Sequence, residues 1–199
     1  MTDRELIRLL RAGDGNALNI IADKYYDDIY RFCLYLTANA AESYDITQEV
    51  FLRFMKYMAS YTHRNLKGYL LIIARNLCHD YFYRMKRERR ICLFDSEPGI
   101  QRDGGRYAGD SSALGNHRDY ADPNISENTE LENAELRYLL HDVLNRLPRD
   151  QQEVIILRIG EELKFKEIAE ILGCSQSTVK SRYRLAITKL RKEMTDNEN

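Results

Sequence analysis

From Glu5 to about Arg90 the apolar residues recur every three or four positions and nowhere alternate, a spacing that admits helices and excludes strands. Leu6, Leu9 and Leu10, then Ile29, Phe32, Cys33 and Leu36, then Val50, Phe51, Phe54 and Met58 each mark one helical face. Between Asp95 and Thr129 the pattern fails. That stretch holds five of the ten glycines and two of the three prolines, and it is too poor in apolar surface to offset the entropy of ordering it. Helical spacing resumes after Leu131, with Leu136, Leu139, Leu140, Val143, Leu144 and Leu147 ending at Pro148, followed by groups at 154–159, 168–172 and 179–190. The expected fold is all-α: two small helical domains, 1–94 and 131–199, joined by a flexible acidic Gly-rich linker at 95–130, with four short helices in the second domain. A chain of 199 residues leaves each domain room for a modest helical core.

The formal charge of −1 hides a strong segregation. Residues 1–52 carry five Lys/Arg against nine Asp/Glu, and residues 53–90 carry ten against two. Residues 95–135 then carry three against ten, and residues 164–192 eight against two. Two basic blocks divided by an acidic stretch are the footprint of a chain that meets a polyanion at two places.

The second basic block contains FKEIAEILGCSQSTVKSRYR at 165–184, a helix-turn-helix pattern. Ala169 lets two helices cross closely, Gly173 occupies the turn position that requires positive φ, and Val179 plugs the second helix into the first. Ser175 is the expected N-cap, and Val179, Tyr183, Ala186 and Leu190 the expected buried stripe. Gln176, Ser177, Lys180, Ser181 and Arg184 are left facing outward, where they can enter a major groove, with Lys166, Arg182 and Lys189 placed to meet phosphates.

The first basic block, 45–90, mixes its positive charge with Phe51, Phe54, Tyr57, Tyr61, Tyr69, Tyr81, Phe82 and Tyr83. Leu70, Ile73, Ala74, Leu77 and Tyr81 form one apolar stripe, so Arg75, Asn76, His79, Asp80, Tyr83 and Lys86 fall toward the other side. Unpaired bases require stacking surfaces, polar partners for their edges and cations for their phosphates; ASYTHRNLKG and the helix after it offer all three.

Catalytic and metal-binding chemistry finds no constellation here. The four cysteines stand singly and read as small core residues, and the four histidines lie in unrelated settings. No phosphate-cradling glycine loop, zinc-protease motif or nucleophile elbow occurs. The charged N-terminus lacks the apolar run of a signal peptide or a membrane span, so the chain is expected to stay in the cytoplasm.

The order of these segments resembles the extracytoplasmic-function sigma factors of bacterial RNA polymerase. DITQEVFLRF at 45–54 is similar to that family's polymerase-binding helix, which implies Asp45, Gln48, Glu49 and Phe51 as contacts to the core enzyme. LKGYLLIIARNLCHDYFYRMKR at 66–87 looks like the helix that, with the loop before it, holds the melted minus-ten element, implying Tyr61, His63, Arg64, Asn65, Asn76 and Asp80 near the flipped base and its strand. Residues 144–192 resemble the minus-thirty-five-binding domain, implying Lys166, Gln176, Ser177, Lys180, Ser181, Arg182 and Arg184. Two departures are Tyr69, where the family commonly has Trp, and a long glycine-rich linker. The resemblance implies core RNA polymerase and promoter DNA as partners, an anti-sigma factor as a regulator, no cofactor or small-molecule substrate, and a monomer when free. The alternative is a helix-turn-helix repressor or activator that binds palindromic DNA without polymerase; it leaves the first basic block unexplained. A small recombinase would require a nucleophile or metal cluster that the sequence does not offer.

Overall fold

The computed structural model describes residues 1–62, 65–94, 143–144 and 146–196, with side chains described up to Glu88 in the first unit and up to Lys192 in the second. The linker expected at 95–130 and most of the first helix expected after it lie outside the described residues. Among the described residues every regular element is helical, as the spacing requires.

Helix α1, Asp3–Arg11, begins in a reciprocal cap: the Glu5 amide donates to Thr2 Oγ1 at 3.4 Å and the Thr2 amide to Glu5 Oε2 at 2.8 Å. It buries Leu6, Ile7 and Leu10 against α2, Asn16–Thr37. Helix α2 presents Ile21, Tyr25, Ile29, Phe32, Cys33 and Leu36 inward, a stripe at three- and four-residue steps. Its end turns sharply through Ala38, whose φ of 53° is unusual for a residue with a side chain. Asn39 then caps α3, Ala40–Tyr57, its Oδ1 accepting from the Glu42 amide at 3.2 Å. The buried hydroxyls of Ser43 and Thr47 are both satisfied at this corner, Ser43 donating to Asn39 O and Thr47 to Ser43 O. A single 3₁₀ turn, Met58–Ser60, leads toward the long helix α4, Leu66–Phe94. Val50, Phe54, Leu66, Leu70, Leu71 and Ala74 close the core between α2, α3 and α4.

The second unit enters at Pro148. Helix α5, Arg149–Ile155, widens into a π turn at Ile156–Gly160 and is followed by α6, Phe165–Leu172, and α7, Gln176–Asp196. Gly173 at φ +64° makes the tight turn between α6 and α7, and the Thr178 amide donates to Ser175 Oγ at 3.1 Å, the cap expected from sequence. Val179 and Ala186 are fully buried, while Tyr183 and Leu190 are half-buried at the edge of the stripe. The two units touch: α6 packs on α4, and the π turn packs on α2.

Candidate nucleic-acid interface

Helix α7 carries the simplest arrangement. Gln176, Ser177, Lys180, Ser181 and Arg184 are all exposed on its outer side, and Lys166 is exposed on α6 beside it. Arg182 is placed differently. Its Nε meets Asp150 Oδ2 at 3.0 Å, so it ties α7 to α5 as well as bordering the outer face. Lys189 Nζ likewise donates to the Arg146 carbonyl.

In the first unit, Asn76 and Asp80 are exposed one turn apart on α4, and Tyr83 continues their row at 74% exposure. Asn65 has a structural duty at the start of the same helix. Its Oδ1 accepts from the Gly68 amide at 3.0 Å, an N-cap, and its Nδ2 reaches Glu167 Oε1 at 3.5 Å. A Cβ on residue 68 would stand 3.1 Å from Asn65 Nδ2, so glycine there leaves the cap its room. Tyr61 points inward at 7% exposure, its ring packed edge-on against Phe54 and Tyr69 with centroids 6.1 and 5.0 Å away. His63 and Arg64 lie outside the described residues.

Arg75 and His79 depart from the sequence reading, which left this side of α4 to solvent or nucleic acid. Both turn to Glu153 of α5: Arg75 Nε lies 2.9 Å from Oε2, and His79 Nε2 pairs with Oε1. Burial pushes the Glu153 carboxyl upward, but the hydrogen bonds and charges of His79 and Arg75 outweigh it and leave its pKa below the usual carboxylate range. One helical turn-pair earlier, Lys67 Nζ sits 2.7 Å from Asp28 and 2.9 Å from Glu161, whose side chain is completely enclosed. Neither Glu161 oxygen receives a well-aligned hydrogen bond, and burial, only partly offset by Lys67, raises its pKa. The Arg149 guanidinium covers the face of Phe82 at 3.2 Å from the ring centroid. Charged groups thus bridge the two units along the length of α4.

On α3, Asp45 and Gln48 are exposed and Glu49 is half-buried, paired with Arg53 at 2.8 Å. Phe51 faces the core, stacked 6.3 Å from Tyr26, so its ring positions the helix from within. Sequence reasoning missed the apolar side chains that stand out beside Gln48: Tyr44, Leu52 and Met55 are 46, 54 and 45% exposed. With Gln48 they form a row at steps of four, four and three, the spacing of one helix face turned to solvent. The signal was present as apolar residues falling off the buried stripe of Ile46, Val50 and Phe54.

Cys33 and Cys78 are fully buried, as expected of core thiols; their mutual hydrogen bond and burial push the Cys78 thiol far up, and Cys92 lies outside the described side chains. No group of residues suited to a metal ion occurs among the described residues, and no helix among them is long and apolar enough to cross a membrane.

Residues 21–89 match the family described as Sigma-70 region 2, and residues 137–190 match Sigma-70, region 4. The chain is 29% identical over 197 residues to the ECF RNA polymerase sigma factor SigW of Bacillus subtilis, covering 98% of each chain. It is 28% identical over 194 residues to the ECF RNA polymerase sigma factor BldN of Streptomyces coelicolor, covering 96% of this chain and 66% of that one. Among solved structures it resembles CnrH in complex with the cytosolic domain of CnrY at a TM-score of 0.68, with 16% identity and 99% of each chain covered. It also resembles the sigma factor RpoE in complex with the anti-sigma factor NepR from Bartonella quintana, at a TM-score of 0.57 and 21% identity over 89% of this chain and 96% of that one.

Proposed function

Since the chain belongs to the sigma-70 family of RNA polymerase sigma factors, in its extracytoplasmic-function group, we propose that it is an alternative sigma factor that brings the core enzyme to promoters carrying spaced minus-thirty-five and minus-ten elements and helps open the second. Sigma factors are initiation factors, and the catalysis belongs to the polymerase.

The observation that supports this reading is the outward row on α3: exposed Tyr44, Leu52 and Met55 flank Gln48 within the segment that matches Sigma-70 region 2, and an apolar row of this kind suits docking on a protein partner. We assign that row, with Asp45, Gln48 and Glu49, to the polymerase. On α7, Gln176, Ser177, Lys180, Ser181 and Arg184 have the exposure required to enter a major groove, with Lys166 and Arg182 at its phosphates. We assign Asn76 and Asp80 of α4 to the unpaired strand, and His63 and Arg64 to its flipped base. Asn65 caps α4 through the Gly68 amide, and Tyr61 packs into the core. The melting cost of a few base pairs would be offset by base capture and phosphate contact.

Neighbours of known structure are complexes with an anti-sigma factor or the cytosolic domain of CnrY. By extension, we propose that this chain too is held inactive by a protein of that kind.

The direct test is association of the full chain with purified core RNA polymerase. Leu52→Glu places a charge where an apolar side chain is to be buried. Losing that burial, roughly 2 kcal/mol, should weaken the complex about 30-fold while leaving thermal unfolding and duplex binding through α7 unchanged. Undiminished affinity of Leu52→Glu would remove the α3 row from the polymerase interface.

A further inference from the structure

A cleft of about 630 Å³ opens between α1 and the chain that follows the 3₁₀ turn, and nothing assigned so far occupies it. Arg4, Arg8 and Arg11 line one side, Tyr61 and Thr62 the other, and Ile7 contributes to its floor. The arginines fall on one side of α1 because their spacing is i, i+4 and i+7, while Leu6 and Leu10 turn away into the core and Ile7 is buried between the two sides.

The acidic residues that could neutralise these guanidinium groups are engaged elsewhere. Asp3, which also lines the cleft, holds Lys24 Nζ at 2.6 Å and the Tyr25 hydroxyl at 2.8 Å. Glu5 accepts from the Thr2 amide in the helix cap, and that contact with Thr2 keeps its carboxyl low. Arg11 donates to the carbonyls of Tyr61 and Met58, which fastens α1 to the approach of the loop. Arg4 and Arg8 are exposed on the cleft with no hydrogen bond or ion pair among the described residues, Arg8 acting on the Glu5 carboxyl only through space, where its charge helps to hold that pKa low.

We propose that Arg4 and Arg8 form a phosphodiester-binding wall that holds the backbone of an unpaired DNA strand beside Tyr61 and Thr62, extending the single-strand site beyond α4. The inference rests on the promoter-opening reading for the identity of the strand, and on the cleft itself for the chemistry. Planar guanidinium groups bind phosphate oxygens in pairs, and a cleft within the roughly 300–1,000 Å³ range of ligand sites accommodates a backbone segment with its sugar against Ile7. Because the contacts are to phosphate, they add affinity without reading sequence.

The test is fluorescence anisotropy of the full chain with a labelled single-stranded DNA of about a dozen nucleotides, titrated between roughly 50 and 200 mM salt. Each phosphate neutralised on a single strand contributes about 0.7 to the slope of log affinity against log salt. R4A/R8A should therefore flatten the slope by about 1.4, with R4K/R8K restoring most of it. Helix content and binding of core polymerase should be the same in all three proteins. An unchanged slope in R4A/R8A would overturn the proposal, as would absence of single-strand binding by the unaltered chain. Displacement of the DNA by inorganic phosphate at constant ionic strength would assign the cleft to a free anion and overturn it as well. Failure to bind core polymerase, with the slope difference intact, would instead defeat the sigma-factor reading and leave the cleft's phosphate chemistry standing.

Discussion

Phe54→Ala is expected to lower the stability of the first unit by about 4 kcal/mol, within the range for deleting a fully buried aromatic ring. Phe54 has no exposed surface and meets Tyr61 and Tyr69 edge-on, with centroids 6.1 and 6.3 Å away. These rings come from α3, from the approach to the loop and from the first turn of α4, so one cavity loosens all three. A loss of that size takes up much of the total stability of a small domain. Urea unfolding followed by circular dichroism should show an early transition for part of the helical signal. Tyr83→Ala, at a residue 74% exposed, is the control and should shift nothing beyond about 0.5 kcal/mol. Two equal shifts would contradict the packing described.

The second large effect concerns the charges between the units. Glu153→Ala leaves Arg75 and His79 facing each other without their shared carboxylate, and should cost about 2 kcal/mol. That is less than for a fully enclosed pair, because Arg75 and His79 both retain some solvent. Part of the loss should appear as separation of the units, read as a larger radius of gyration by small-angle scattering. Glu161 provides the contrast. Its pKa is raised, so its ionised form is the one the fold disfavours; Glu161→Gln should be neutral or mildly stabilising at pH 7. The pH dependences run oppositely. The Glu153 carboxyl is held low, so its contribution is present above the usual glutamate range and is lost as pH falls through the folded-state value. The contribution of protonated Glu161 is present at low pH and is lost as pH rises through its raised folded-state value. Urea midpoints of the two variants across pH 4–7, relative to the unaltered chain, should therefore diverge.

The helical class and the helix-turn-helix were legible because their determinants are local. Gly173 requires its left-handed turn, Ser175 caps the next amides, and Val179 falls on the stripe that enters the core, all within a few residues. The interfaces were less legible. The family resemblance implied Phe51 and Tyr61 as contacts, yet both rings are buried in the core, and an aromatic residue does not announce which use the fold makes of it. The pairing of Arg75 and His79 with Glu153 joins residues more than seventy positions apart, and separations of that length leave no periodic trace. Arg182 carries the sequence features of a phosphate contact, while its partner Asp150 is set by how α5 crosses α7. Leu52 and Met55 were visible only as exceptions to a stripe, and the exposed α1 arginines only once the fold had engaged their acidic neighbours elsewhere.

The measurement closest to the central claim is transcription from genomic DNA by core RNA polymerase, with and without the purified chain, followed by mapping of the transcript starts. The account predicts a new set of discrete starts, each preceded by the same two elements at a fixed spacing and dependent on the chain. Binding of the chain alone to palindromic duplex sites, with no complex and no new starts, would contradict it and favour a helix-turn-helix repressor.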